Sequence, residues 1–175
     1  MRFGGIVIAV ALVVGACSGE PVPQEPDPAP TPTSTATLPA MPEQATEDSP
    51  EGAAAFVDHW VDVFNYASQT GDVDELSRLS SPGCEGCQKY IDLYRDTYEA
   101  GGYFRGGEWH LSDVTVEGAP EGVRVFGHIA ADAGTQRDSD GATGTTNPED
   151  NNLLFTIYPA AQGTWTLVAF EQAGS

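Results

Sequence analysis

The sequence predicts an α+β domain in which three N-terminal helices pack in a curved antiparallel sheet of about four strands. Two observations predict this fold class. Between Glu51 and Ala100 the apolar residues recur at helical spacing, and after Gly101-Gly102 they alternate at strand spacing. Helices and strands that occupy separate stretches of a chain are typical of α+β domains. The expected domain spans residues 51–175.

The first predicted helix runs from Glu51 to Thr70 and stops at Gly71-Asp72. Its apolar stripe at i, i+3, i+4 and i+7 consists of Val57, Trp60, Val61, Phe64 and Ala67. Asp72 can cap a short second helix, with Glu75 at the spacing of a capping box. A second helix is therefore expected directly after the first.

A third predicted helix follows the turn at residues 80–83 and runs from about Cys84 to Ala100. One stripe of this helix carries Cys87, Ile91, Tyr94 and Tyr98. Gly101-Gly102 provides its C-terminal stop. The helical part of the domain should therefore end here.

Two hairpins are predicted for the rest of the chain. The predicted strands are Trp109–Val116, Val123–Ile129, Leu153–Tyr158 and Thr164–Phe170. The alternation changes phase between Leu111 and Val114, which predicts a bulge near Ser112-Asp113. Residues 133–152 are polar and rich in glycine, so they are expected to form a loop.

The N-terminus has the composition of an export signal over residues 1–16, with a positive start, an apolar run and small residues at its end. Val14-Gly15-Ala16-Cys17 resembles a lipobox, the motif that lipoprotein signal peptidase reads. That resemblance implies cleavage before Cys17 and lipidation of its thiol. An ordinary signal peptide, or a buried strand with a chance cysteine, is the alternative.

Residues 17–50 are rich in proline, threonine and alanine and predict a disordered tether. Proline fixes φ and removes hydrogen-bond donors, so the tether should be extended and could reach on the order of 100 Å. The expected location is therefore outside the cytoplasmic membrane, anchored by lipid and facing the cell wall.

Charge excludes two classes of partner. The chain has 26 acidic and 7 basic residues, for a net charge of −19. Phosphate backbones and anionic headgroups repel such a chain, which excludes nucleic-acid binding and polybasic docking to membranes. The expected contact with the membrane is therefore through the lipid on Cys17 and not through basic side chains.

Three segments carry a resemblance to a known family: Phe64–Asp72 (FNYASQTGD), Leu76–Leu79 (LSRL) and Ser81–Cys87 (SPGCEGC). They resemble the actinobacterial lipoprotein family catalogued as domain of unknown function 6318, over nearly the whole domain. The order of elements also resembles the NTF2-like (cystatin-like) fold, a cone of helices and sheet. The first resemblance implies no assigned chemistry, and the second implies a fold that hosts isomerases, dehydratases, transport adaptors and inert binding modules.

Cys84 and Cys87 lie three residues apart at a predicted helix start, in a chain expected to be exported. We expect a structural disulfide between them. Thiol exchange is the alternative, because a helix N-terminus lowers the pKa of a thiol, but thioredoxin-like motifs follow a core strand. A zinc site would need further ligands.

Aromatic residues of the helices and first strand provide a possible pocket, consisting of Trp60, Phe64, Tyr94, Tyr98 and Trp109. Plain core packing is the alternative. Tyr94 and Tyr98 share one helical stripe, and a buried tyrosine hydroxyl needs a partner, which favours a polar cavity. His59, His110 and His128 are expected to be exposed or at edges, and spacing identifies no catalytic set.

The leading functional hypothesis is a non-catalytic envelope module that binds a protein, a glycan or a small ligand. An NTF2-like acid/base enzyme of isomerase or dehydratase type is the first alternative, and a thiol-redox lipoprotein is the second. No cofactor or metal is expected. Asp138 and Glu149 partly match a calcium loop, but Thr143 stands where its turn needs glycine.

Overall fold

The computed structural model describes residues 36–119, 122–139, 141, 143–160 and 164–174. The helices are α1 (Pro50–Thr70), α2 (Asp74–Leu79) and α3 (Glu85–Glu99), preceded by a 3-10 helix at Glu43–Thr46. The strands are β1 (Tyr103–Arg105), β2 (His110–Ala119), β3 (Gly122–Ala131), β4 (Thr135–Arg137), β5 (Gly144–Thr145), β6 (Glu149–Pro159) and β7 (Trp165–Gln172). The predicted α+β class, with three α-helices before the strands, is confirmed.

The helix α1 runs through the centre of the fold. The Ser49 hydroxyl accepts the backbone N–H of Gly52 at 2.9 Å, and Pro50 occupies the first turn, so the helix has a well-defined start. Gly71 ends it in the left-handed region, at φ 76°. All five residues of its predicted stripe are buried. None of the described helices combines the length and apolarity needed to cross a bilayer.

The main sheet is antiparallel, with strand order β2-β3-β6-β7. Its inner face packs against the helices with Val125, Ile129, Phe155, Ile157 and Leu167. The register shifts by one residue between Ser112 and Thr115, where Asp113 has φ 51°. The bulge predicted near Ser112-Asp113 is therefore confirmed.

A second sheet corrects the prediction of about four strands. Its order is β1-β4-β5, and it is antiparallel. Two of these strands, and the first residues of β6, lie within residues 133–152, where a loop was expected. Strands of two or three residues are too short to show an alternating pattern, and Asp150 and Asn152 are exposed positions of β6. Because these segments are short and polar, no signal in the sequence marks β4, β5 or the start of β6.

Packed structure begins before residue 51, the expected start of the domain. The 3-10 helix at Glu43–Thr46 buries Ala45, and Met41 packs against the core. The indole Nε1 of Trp165 donates to the carbonyl of Glu47 at 3.2 Å. The last part of the expected tether is thus part of the fold, whereas the predicted signal peptide and residues 17–35 lie outside the described residues.

The second helix starts differently from the expected capping box. It begins at Asp74, and the carboxylate of Asp72 accepts the backbone N–H of Asp74 at 3.2 Å. Glu75 pairs with Arg78 in the same helix. Because an arginine one turn away offers a charged donor, the Glu75 side chain makes that ion pair.

Candidate functional site

A small pocket opens beside α3, between the turn before β2 and the first residues of β6. Its cavity volume is about 150 Å³. The aromatic lining residues are Tyr90 and Tyr94 of α3, Phe104 of β1 and Trp109. Tyr94 and Trp109 are each only 5% exposed, so they present little more than the surface that faces this cavity.

The ring of Phe64 in α1 packs beneath the aromatic walls of the pocket. The ring of Phe64 lies 4.3 Å from that of Trp109, 5.0 Å from Tyr90 and 5.5 Å from Tyr94, measured between centroids. Tyr90 lies 5.8 Å from Trp109 and 5.9 Å from Tyr94, with interplanar angles of 76° and 43°. These separations are typical of favourable aromatic pairs. The walls are therefore mutually supported before any ligand arrives.

Two polar side chains of α1 and α3 fix the backbone around the pocket. The Asn65 amide accepts the backbone N–H of Trp109 and donates to its carbonyl, both at 2.8 Å. The Tyr98 hydroxyl donates to the carbonyl of Ser68 at 2.8 Å and accepts the backbone N–H of Phe104 at 3.3 Å. The strand β1, which carries Phe104, and the segment before β2, which carries Trp109, are thus tied to the helices.

The rim of the pocket is acidic. Glu149 of β6 pairs with Ala131 of β3. It lies on the inner face of the main sheet, the same face as Leu153 and Phe155 of β6. Asp132 follows β3 and is exposed. Among the described residues that line the pocket there is no lysine, arginine, histidine or cysteine. The electrostatic character of the site is therefore set by two carboxylates.

Burial governs the tyrosine hydroxyls of the pocket. It raises the pKa of Tyr94, and the nearby charges of Tyr90 and Glu149 raise it further. Burial also raises the pKa of Tyr90, with Glu149 as the second cause. Both hydroxyls therefore stay protonated and neutral across the physiological range.

Only two of the five predicted pocket residues line the cavity, and the other three lie beneath it, beside it or in the core. Tyr94 and Trp109 line the cavity, whereas Phe64 lies beneath it and Tyr98 supports it from the side. Trp60 belongs to the core, because it is fully buried and its Nε1 donates to the hydroxyl of Ser80 at 2.9 Å.

Sequence reasoning missed the lining residues Tyr90, Phe104, Asp132 and Glu149. A signal for Tyr90 was available, since it lies one turn before Tyr94 on the same helical face. No signal marked Glu149 as inward-facing, because its strand was expected to begin only at Leu153.

Cys84 and Cys87 form a disulfide at the start of α3. The Sγ of Cys84 also accepts the backbone N–H of Cys87 at 3.3 Å, as an N-cap. The two residues are 1% and 0% exposed, so neither sulfur is accessible to a redox partner. Cys17, the predicted lipidation site, lies outside the described residues.

The histidines lie away from the pocket. His59 is buried in α1, which corrects the expectation of an exposed or edge position: the helix is surrounded more completely than its stripe indicated. His110 and His128 lie on the outer face of the main sheet, where His128 approaches Asn152 at 3.3 Å. No cluster of three potential metal ligands occurs among the described residues.

Solved structures that resemble the chain have low sequence identity to it. The intermembrane space region of the chloroplast protein ARC6 aligns with TM-score 0.52 and 12% identity, over 73% of this chain and 98% of that one. An NTF2-like protein with a cystatin-like fold from Novosphingobium aromaticivorans gives TM-score 0.41 and 17% identity, over 72% and 90%. A ketosteroid isomerase-like protein from Erwinia carotovora atroseptica gives 0.41 and 18%, over 68% and 88%. The first of these likenesses concerns the fold alone.

Sequence comparison identifies the family. No curated protein matches the chain. The family model that does match covers residues 21–170, which include every element described above except the end of β7. The chain therefore belongs to the family of unknown function DUF6318.

Proposed function

We propose that this domain is a non-catalytic binding module that takes a small ligand in the aromatic pocket. In this proposal the fold is an NTF2-like cone, and the pocket is its mouth. The supporting observation is the pocket itself: its aromatic walls are held by neighbouring rings and by Asn65, and they open at a polar rim. Apolar concavities with a few polar groups are typical of small-molecule sites.

The size of the cavity favours a small ligand over a protein or a glycan. Its volume of about 150 Å³ equals that of about five water molecules, at roughly 30 Å³ each. A ligand or ligand group of five or six heavy atoms would fill it. A larger partner would have to leave most of its surface outside.

The arrangement favours binding over acid/base catalysis. General acid/base enzymes place a group with a pKa near the working pH within hydrogen-bond reach of the substrate. The pocket lining does hold two carboxylates, Glu149 and Asp132, but no histidine accompanies them among the described lining residues. Asp58, whose carboxyl pKa is raised by burial, also lies outside the lining. The buried sulfurs of Cys84 and Cys87 likewise do not favour thiol exchange.

The proposed address of the module is the outer face of the cytoplasmic membrane, with a lipid on Cys17 and a proline-rich tether. The lipobox-like sequence and the composition of residues 17–35 support it. A tethered binding module would sample the space between membrane and cell wall.

Ligand-observed NMR with the full chain tests the binding proposal. A library of fragments with five to ten heavy atoms should contain binders, and Tyr90→Ala should weaken them at least fivefold because it removes a wall of the pocket. Tyr158→Ala is the matched control, since Tyr158 is an exposed tyrosine outside the pocket. The proposal is wrong if no fragment binds, or if binders are indifferent to Tyr90→Ala.

A further inference from the structure

We propose that the aromatic pocket selects a small organic cation, namely an alkylated ammonium group. This inference rests on the proposed function and names the ligand class of the same site. It combines three features of the described pocket: aromatic walls, carboxylates at the rim, and dimensions that suit a compact head group.

The aromatic side chains of the pocket favour a cationic ligand, which is the first part of the argument. Tyr90, Tyr94 and Trp109 line one cavity, and the rings of Tyr94 and Phe104 meet edge to face at 5.2 Å. Ring faces carry negative electrostatic potential, so a cation within about 6 Å of their centroids is attracted. Alkylated ammonium groups suit such walls, because their methyl groups also bury apolar surface.

The charge of the rim provides the second part. Glu149 faces inward from β6, and it is close enough to Tyr90 and Tyr94 for its charge to act on both hydroxyls. Asp132 adds a second carboxylate. An anionic ligand would meet two like charges here, and a neutral ligand would leave them unpaired.

The basic side chains of the neighbouring strands are engaged with Tyr103 and lie outside the pocket lining. Arg105 of β1 and Arg137 of β4 both lie over the ring of Tyr103, at 4.4 Å and 4.8 Å from its centroid. Neither belongs to the pocket lining. The net charge of −19 further concentrates cations around the chain.

The dimensions provide the third part. A trimethylammonium group on one methylene has five heavy atoms, and the cavity holds about five water volumes. Such a group carries no hydrogen-bond donor on its nitrogen, so it needs no directed acceptor inside the aromatic walls. The carboxylates at the rim can balance its charge without direct contact.

Titration of the full chain with choline tests this inference, with 3,3-dimethyl-1-butanol as the neutral isostere of the same shape. We expect choline to bind at least tenfold more tightly than the isostere in isothermal calorimetry. Glu149→Gln should weaken choline at least threefold while preserving the shape of the rim. Glu171→Gln, at an exposed position of β7, is the matched control and should have no effect.

The outcomes separate this inference from the proposed function. Equal binding of choline and its isostere would overturn the cation class and leave small-ligand binding standing. Choline that binds Glu149→Gln and Tyr90→Ala as well as the parent chain would bind elsewhere, which overturns the inference. If choline fails to bind while fragments still require Tyr90, the ligand class is wrong and the binding module is retained.

Discussion

Asn65 connects the helical and strand halves of the domain through a single side chain. Its amide satisfies both the N–H and the carbonyl of Trp109 across 44 residues of sequence. The backbone of Trp109, just before β2, is held as a neighbouring strand would hold it, because an amide offers the same donor and acceptor as a peptide group. Asn65 thereby sets where Trp109 meets the pocket.

Asn65→Ala should lower the free energy of unfolding by about 2 kcal/mol, since two hydrogen bonds of about 1 kcal/mol each are lost. Urea unfolding followed by fluorescence measures the change. Gln69→Ala is the control on the same helix, because it removes only the hydrogen bond that Gln69 donates to the Glu108 carboxylate at 3.2 Å. Equal losses in the two variants would contradict the role of Asn65.

His59 should make the domain less stable in acid. Burial lowers its pKa below the ordinary value, and the charge of Arg78 acts in the same direction, while Glu75, Asp62 and Asp58 oppose both. The unfolded chain therefore binds a proton more readily than the folded one. The stability that neutral His59 contributes is complete above about pH 6.5, the pKa of an ordinary histidine. It is lost as the pH falls through the lower pKa that His59 has in the folded protein.

Urea unfolding at pH 7.5 and pH 5.0 measures this effect. The parent chain should lose more stability between these values than His59→Gln does. His110→Gln, which replaces an exposed histidine of the outer sheet face, should lose as much as the parent chain. A pH dependence that His59→Gln leaves unchanged would show that other groups cause it.

At the scale of elements, two glycines end the long helices in the same backbone conformation but in different surroundings. Gly71 follows α1 at φ 76°, and Gly101 lies beyond α3 at φ 80°. A Cβ at Gly71 would overlap the ring of Tyr98, whereas a Cβ at Gly101 would meet open space. The first glycine is therefore required by packing as well as by φ.

Gly101→Ala should cost about 1 kcal/mol, the strain of a left-handed alanine. Gly71→Ala should cost at least 2 kcal/mol more, because Tyr98 would have to leave its hydrogen bonds to Ser68 and Phe104. Thermal unfolding of the two variants provides the comparison. Equal costs would mean that Tyr98 moves aside freely.

Elements with a long apolar period could be predicted from the sequence, and short ones could not. The stripe of α1 and the phase change before Val114 depend on side-chain spacing, which the chain displays directly. β4 exists because it pairs with β1 on one side and with β5 on the other, contacts that local composition does not encode. Tyr94 and Trp109 could be proposed as pocket residues because they belong to such periodic stretches. Glu149 could not, because the start of its strand is polar and shows no alternation.

At the scale of the whole molecule, the proposed lipid anchor and the folded domain are separate parts of the chain. Cys17→Ser should remove the acyl groups from the protein and weaken its association with the membrane fraction, because stable anchoring requires those acyl groups. Fractionation of cells and mass spectrometry measure both effects. Ser18→Ala is the neighbouring control and should stay with the membrane. A parent chain found without lipid would contradict the anchor.

The attachment of residues 41–47 also determines how force would enter the domain. A pull through the proposed tether would reach Met41 and the 3-10 helix over Ala45. It would then reach the hydrogen bond from the Trp165 indole to the Glu47 carbonyl, which joins the N-terminal end of the fold to its last strand. Load on the N-terminal end of the fold would therefore be shared with β7 through Trp165.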